Sequence, residues 1–157
     1  LEIMITLRKA RVSDVENIHA LINKYAEKGL MLPRSRSLLY ECLREFMVAE
    51  FDGVFLGTGG LHIIWDDLAE IRALAIVEEA MRKGIGRAIV GKLIEEARHL
   101  GIPRVFVLTY QKKFFANCGF REISKETLST KVWKECINCP KFPNCDENAM
   151  IIETNNG

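Results

Sequence analysis

Glu70-Ile-Arg-Ala-Leu-Ala-Ile76, a charged connector, Met81-Arg-Lys-Gly-Ile-Gly-Arg87 and the run Ala88–Leu100 together decide how this chain folds. The first part is aliphatic with imperfect alternation, which reads as a strand buried on both faces and carrying a bulge. Downstream, Ile85, Ala88, Ile89, Leu93, Ile94 and Ala97 recur at helical spacing until Gly101 ends the pattern. Between strand and helix, Gly84 and Gly86 allow consecutive N–H groups to face a single anion. The helix adds its unpaired first-turn donors and the positive end of its dipole. Strand, turn and helix in this order are a place to hold a diphosphate. It is neither a dinucleotide fingerprint, which needs a third glycine, nor a Walker loop, which needs Gly-Lys-Ser or Gly-Lys-Thr. A plain strand-to-helix connection tightened by glycines is the competing reading.

Upstream of this stretch, Ile3–Leu7 reads as a short strand, and Ser13-Asp-Val-Glu16 as a capping box opening a helix. Val15, Ile18, Leu21, Ile22 and Tyr25 give that helix its apolar stripe, and Gly29 stops it. Leu30–Ser37 is a loop, after which Ser35 or Ser37 can cap a helix over Leu38–Arg44. Phe46–Phe51 and Val54–Trp65 flank Asp52-Gly53, a hairpin signal; Gly57, Gly59 and Gly60 inside the second strand indicate a bulge or the close approach of another group. Downstream, Arg104–Thr109 is an almost wholly apolar, central strand, Lys112–Cys118 a short helix, and Ile151–Glu153 a last strand.

The 157 residues, 48% hydrophobic and 27% charged, fit one globular domain spanning 1–157. A net charge of +1 gives no electrostatic case for nucleic acid or an anionic membrane, and no apolar run approaches a membrane span. The five cysteines, with no secretion signal, point to a reducing cytoplasm. Three of them, Cys136, Cys139 and Cys145, form a Cys-x2-Cys-x5-Cys array in an extension over 125–147. That spacing suits a zinc knuckle or an iron–sulfur loop, with Cys118, Cys42, His62 or Asp146 to complete it; free thiols on a proline-stiffened loop are the alternative.

Glu-Ile-x-x-Leu-Ala-Ile followed by Lys-Gly-Ile-Gly-Arg-Ala-Ile-Val resembles the acyl-CoA motif of the GNAT N-acetyltransferase superfamily, over about Ile5 to Phe120. Met81 stands where the family pattern has glutamine or arginine. The resemblance implies an α/β fold with a mixed, mostly antiparallel sheet of about six to seven strands flanked by about four helices. It implies acetyl-CoA as co-substrate, its diphosphate held by Met81, Arg82, Lys83, Gly84, Ile85, Gly86 and Arg87, and its pantetheine along Leu74, Ala75 and Ile76. Phe114-Phe115-Ala-Asn-Cys-Gly-Phe120 is similar to the family's helix beside the CoA thiol, with Phe115 in place of a tyrosine. A phenyl ring cannot protonate a thiolate, so that role falls elsewhere or to water.

Acetyl transfer to an amine needs a proton acceptor, a polarised thioester carbonyl and a leaving thiolate. Glu70 occupies the position where related acetyltransferases carry a catalytic glutamate; burial would raise its pKa, unless Arg72 or Arg104 holds it as a strand-end carboxylate. Thr109 and Tyr110 are hydroxyls for the acid or oxyanion role, and His62 is a second-line base. Gly-Leu-Met-Leu-Pro-Arg-Ser-Arg-Ser is similar to the loop with which N-acetylglutamate synthases grip glutamate, so Arg34, Arg36 and a tail cation such as Lys131 would pair its carboxylates. Two solvated arginines near a helix start are the plainer reading.

Together these stretches resemble a stand-alone glutamate N-acetyltransferase of arginine biosynthesis. Larger members carry an amino-acid-kinase-like domain, for which these 157 residues leave no room. A GNAT enzyme for a protein lysine or polyamine, and a low-turnover acetyl-CoA or metal-sensing module, are the rival readings. The partners implied are acetyl-CoA and an amino acid, with a homodimer as the assembly left open.

Overall fold

The computed structural model describes residues 5–128 and 147–154. Its strands are β1 (Thr6–Lys9), β2 (Phe46–Phe51), β3 (Val54–Trp65), β4 (Leu68–Ile76), β5 (Arg104–Thr109), β6 (Arg121–Ile123) and β7 (Asn148–Glu153). They form a seven-stranded sheet in the order β1-β2-β3-β4-β5-β7-β6. Among the described residues the α-helices are α1 (Val15–Glu27), α2 (Arg36–Glu41), α3 (Ile85–His99) and α4 (Lys112–Asn117). Most neighbouring strands run antiparallel, whereas β4 and β5 run parallel. This is the mixed, mostly antiparallel α/β sheet that the resemblance implies.

The described residues divide into two compact units, residues 5–61 with 71–93 and residues 62–70 with 94–128 and 147–154. In the first, β2 and β3 form a hairpin whose turn, Asp52 (φ 50°) and Gly53 (φ 78°), takes the left-handed pair of conformations that matches strand twist. Val15, Ile18 and Ile22 of α1 bury against Leu39, Phe46 and Val48, and Leu21 and Tyr25 pack with Ala75 of β4. The glycines of β3 mark close approaches: a Cβ on Gly59 would lie 2.9 Å from Ile89 of α3, and one on Gly57 would lie 2.9 Å from the Ala75 carbonyl.

Two N-terminal expectations are corrected. Ile3 and Met4 of the expected strand Ile3–Leu7 lie outside the described residues; β1 is Thr6–Lys9, leaving out Ile5 and continuing past Leu7, in register with Met47–Glu50. The Ser13–Glu16 capping box does not form. Asp14 takes its place: its carboxylate accepts from the Arg11 N–H (2.6 Å) and from both guanidinium ends of Arg8 (2.7 and 2.8 Å). Arg8 also reaches Glu50 (2.9 Å), so one cation ties β1, β2 and the 3-10 turn Val12–Asp14 together. A fork with two carboxylates outcompetes a single serine hydroxyl. Further along, α2 starts at Arg36 with Ser35 as its cap (Ser35 Oγ accepts from Leu38 N, 3.1 Å) and gives way at Leu43 to a 3-10 turn, so the helix expected over Leu38–Arg44 is shifted and shortened.

In the second unit β5 lies between β4 and β7, pairing Ala69↔Val105 and Glu70↔Phe106 on one side and Arg104–Thr109 with Asn148–Glu153 on the other. Its near-continuous apolar run suits that central place. Leu68, Phe106, Leu128, Ala149 and Ile151 make the core. Helix α4 ends in a Schellman motif, with Phe120 N–H to Phe115 carbonyl and Gly119 N–H to Ala116 carbonyl, both 3.0 Å. Strand β6 is only three residues, too short to leave a pattern in the sequence, and the last strand begins at Asn148 rather than Ile151.

Candidate functional site

In the first unit, β4 leads into the proposed carrier loop. Ala73 has φ 55°, so the strand carries the irregularity its imperfect alternation foretold. Its end is seated by hydrogen bonds: Tyr25 Oη donates to the Ile76 carbonyl (2.6 Å), and Val77 N–H donates to the Leu56 carbonyl (2.9 Å). A 3-10 turn, Glu78–Ala80, then delivers Met81 in an extended conformation (φ −66°, ψ 153°). Arg82 (φ 65°) and Gly84 (φ 81°) are left-handed on either side of Lys83, an alternation that turns successive N–H groups toward one concave face. The Ala88 N–H bonds the Gly84 carbonyl, so Ile85, Gly86 and Arg87 supply the first-turn donors of the 15-residue helix α3.

The sequence assigned the unusual backbone to Gly84 and Gly86. The structure gives it to Arg82 and Gly84 instead, and Gly86 is an ordinary helical residue. Nothing in an arginine's chemistry signals a left-handed conformation, so only the three-dimensional turn reveals it. Residues Met81–Gly84 are exposed and Ile85 is buried, which leaves the concave face open while the helix start is fixed to the core. Leu74, Ala75, Ile76, Met81, Arg82, Lys83, Gly84, Ile85, Gly86 and Arg87 thus lie along one path of the chain, from the end of β4 through the turn into α3. The Ile76 carbonyl on that path already accepts from Tyr25.

The arginine loop also belongs to the first unit. Asn23 on α1 holds Arg34 by its backbone from both sides: Asn23 Nδ2 donates to the Arg34 carbonyl (2.9 Å), and the Arg34 N–H donates to Asn23 Oδ1 (3.2 Å). Arg36, two residues on, forks onto the Glu16 carboxylate with contacts of 2.9 to 3.2 Å. The hydrogen bonds to Arg36 hold the Glu16 carboxyl below the usual carboxylate range. Asn23 did not stand out in the sequence, and Glu16 did so only as a capping-box residue, not as a partner of Arg36.

The second unit gathers Glu70, Thr109, Tyr110, Phe114 and Phe115. Glu70 is buried (8% exposed) in β4, opposite Phe106 of β5. Arg104, one cation expected to hold it, pairs with Asp67 (3.0 Å). Thr109, also buried, accepts the Gln111 N–H at its Oγ1 (2.7 Å), fixing the exit from β5 into α4. Phe115 is buried edge-on against Phe114 (5.0 Å) and Phe120 (5.2 Å), which explains how a tyrosine position tolerates an apolar ring. His62 is half-buried on β3.

Lys131, Cys136, Cys139 and Cys145 lie outside the described residues, as does Asp146. Among the described residues no three His, Cys, Asp or Glu side chains come together as a metal site, and Cys42 is a free thiol. No helix among them is long and apolar enough to cross a membrane.

Comparisons with known proteins bear on the arrangement. The Acetyltransferase (GNAT) family matches residues 15–120. The chain is 41% identical, over 92% of its length and 94% of the relative's, to an uncharacterized N-acetyltransferase of Chlorobaculum tepidum. It is 42% identical to an amino-acid acetyltransferase of Mycobacterium tuberculosis, covering 82% of this chain and 75% of that one. Among solved structures, a Mycobacterium tuberculosis protein in complex with CoA superposes with TM-score 0.84 at 37% identity over 94% of this chain and 98% of that one. N-acetylglutamate synthase from Neisseria gonorrhoeae, complexed with coenzyme A and N-acetyl-glutamate, gives 0.88 at 29% identity; this chain spans 36% of its length. With the loop geometry, these matches settle the family: the chain belongs to the GNAT acetyltransferases and is an acetyltransferase domain of that type.

Proposed function

We propose that the chain transfers the acetyl group of acetyl-CoA to the α-amine of L-glutamate, as in arginine biosynthesis. The observation that carries the acceptor is the fork between Arg36 and Glu16: this loop already presents a guanidinium in the bidentate geometry a carboxylate requires. The substrate's side-chain carboxylate takes the place of Glu16, and Arg34 and Lys131 pair the remaining charge. The amino-acid acetyltransferase relative supports an amino-acid acceptor, and the synthase solved with N-acetyl-glutamate supports glutamate in particular.

The diphosphate of acetyl-CoA binds the N–H groups that follow Met81, and its pantetheine runs along Leu74–Ile76. The amine reaches Glu70, which takes its proton directly or through water. The neutral nitrogen then attacks the thioester carbonyl carbon; a C–N bond forms as the C–S bond breaks, and CoA departs as thiolate. Thr109 and Tyr110 are the hydroxyls able to return a proton to sulfur; with its oxygen accepting from Gln111, Thr109 has its O–H left to give.

The test is a competition in one vessel. The protein receives acetyl-CoA with equal concentrations of L-glutamate, L-glutamine, spermidine and a lysine peptide, and products are followed by mass spectrometry. Acetylation of the glutamate α-amine dominates if the reading holds. Equal labelling of unrelated amines, or label chiefly on the peptide, rejects it.

A further inference from the structure

The connection from β4 into the phosphate-binding loop turns on one peptide unit, the carbonyl of Ile76 joined to the N–H of Val77. Both halves are engaged: Tyr25 Oη donates to the carbonyl (2.6 Å), and the N–H donates to the Leu56 carbonyl of β3 (2.9 Å). A peptide plane held on two sides cannot rotate without losing a bond. Its orientation sets the direction of everything downstream, through the turn Glu78–Ala80 to the left-handed residues Arg82 and Gly84.

We infer that Tyr25 is a positioning residue for the acyl carrier, acting from the last turns of α1 through this peptide rather than by touching the reacting atoms. The inference rests on the reading that the loop after Met81 holds the diphosphate of acetyl-CoA. Further contacts converge on the same strap. The Tyr25 hydroxyl lies 3.9 Å from Met81 Sδ, Lys28 sits over the Tyr25 ring (5.7 Å to its centroid), and Lys28 pairs with Glu78 (3.0 Å). Gly57 leaves room underneath: a Cβ there would fall 2.6 Å from Ile76 Cδ1 and 2.9 Å from the Ala75 carbonyl. Burial first, and then the Glu78 carboxylate, push the Tyr25 phenol above its ordinary range, so the O–H remains a donor across neutral and mildly alkaline pH. A phenylalanine would fill the same space in α1, so the hydroxyl here serves the strap rather than the core.

The experiment compares two acetyl donors. Acetyl-CoA carries the diphosphate; S-acetyl-N-acetylcysteamine carries the same thioester without it. In the wild type, acetyl-CoA should be the better donor by about a hundredfold or more, as several charge-assisted bonds to the diphosphate imply. Tyr25→Phe should raise KM for acetyl-CoA about five- to tenfold, the scale of one buried hydrogen bond, with kcat nearly unchanged. Its kcat/KM with the short donor should stay at the wild-type value. Gly57→Ala, which presses on the same strap from β3, should give the same donor-selective loss should the tyrosine variant fail to fold. An equal loss with both donors would show a general effect on the fold and overturn the inference, as would no loss with either. A wild type indifferent to the diphosphate would instead overturn the loop reading itself.

Discussion

Glu70 is a carboxylate buried inside a sheet, and the proton-acceptor role is the reading proposed for it, since active sites recruit such groups for proton transfer. Glu70→Gln keeps the shape and removes the base. Stopped-flow and steady-state rates should fall about 10²- to 10⁴-fold in kcat, while calorimetric affinity for acetyl-CoA stays within about twofold. A variant with unchanged kcat would remove Glu70 from the mechanism. Arg36→Lys keeps the charge and loses the fork; KM for L-glutamate should rise about tenfold with little change in kcat. Both residues were visible in the sequence, one by its place in a motif and the other by its proline-stiffened loop. The pairing of Glu16 with Arg36 was not, because residues separated by 20 positions have no joint signature along a chain.

At the scale of elements, the decisive strand, turn and helix were legible: an aliphatic run, two glycines and a 3.6-residue stripe carry their own physical reasons. So were the Asp52-Gly53 hairpin and the glycine stops of α1 and α3. What misled was competition among polar groups. Ser13 and Glu16 have the right spacing for a capping box, but Asp14 has Arg8 and an N–H from Arg11 within reach. That cluster predicts an acid response. Hydrogen bonds from Arg8 hold the Asp14 carboxyl below its ordinary value of about 3.9. A carboxyl lowered in the folded state stabilises above its unfolded pKa, so this contribution is complete at neutral pH and is lost as pH drops below about 4. Asp14→Asn should cost about 2 kcal/mol at pH 7, or about 4–8 °C in Tm, and the difference from wild type should shrink in acid. Thermal unfolding at pH 7 and pH 3 checks it, and a difference independent of pH would contradict the assigned cause. Gly57→Ala should also lower Tm, by the equivalent of about 1–3 kcal/mol, because a backbone carbonyl stands 2.9 Å from the new methyl.

For the molecule as a whole, the sheet and helices of the described residues bring carrier-loop and arginine residues into one compact unit and Glu70, Thr109 and Tyr110 into the other. Family membership rests on the match over residues 15–120 and on relatives aligned along most of the chain. The choice of acceptor depends on how two arginines in one loop meet two carboxylates. The most direct measurement is thiol release from acetyl-CoA with L-glutamate set against L-glutamine, which differs by a single carboxylate. The account predicts a kcat/KM for L-glutamate at least about tenfold higher, the worth of one charge-assisted fork. Equal values for the two amino acids, or no release with either, would contradict it.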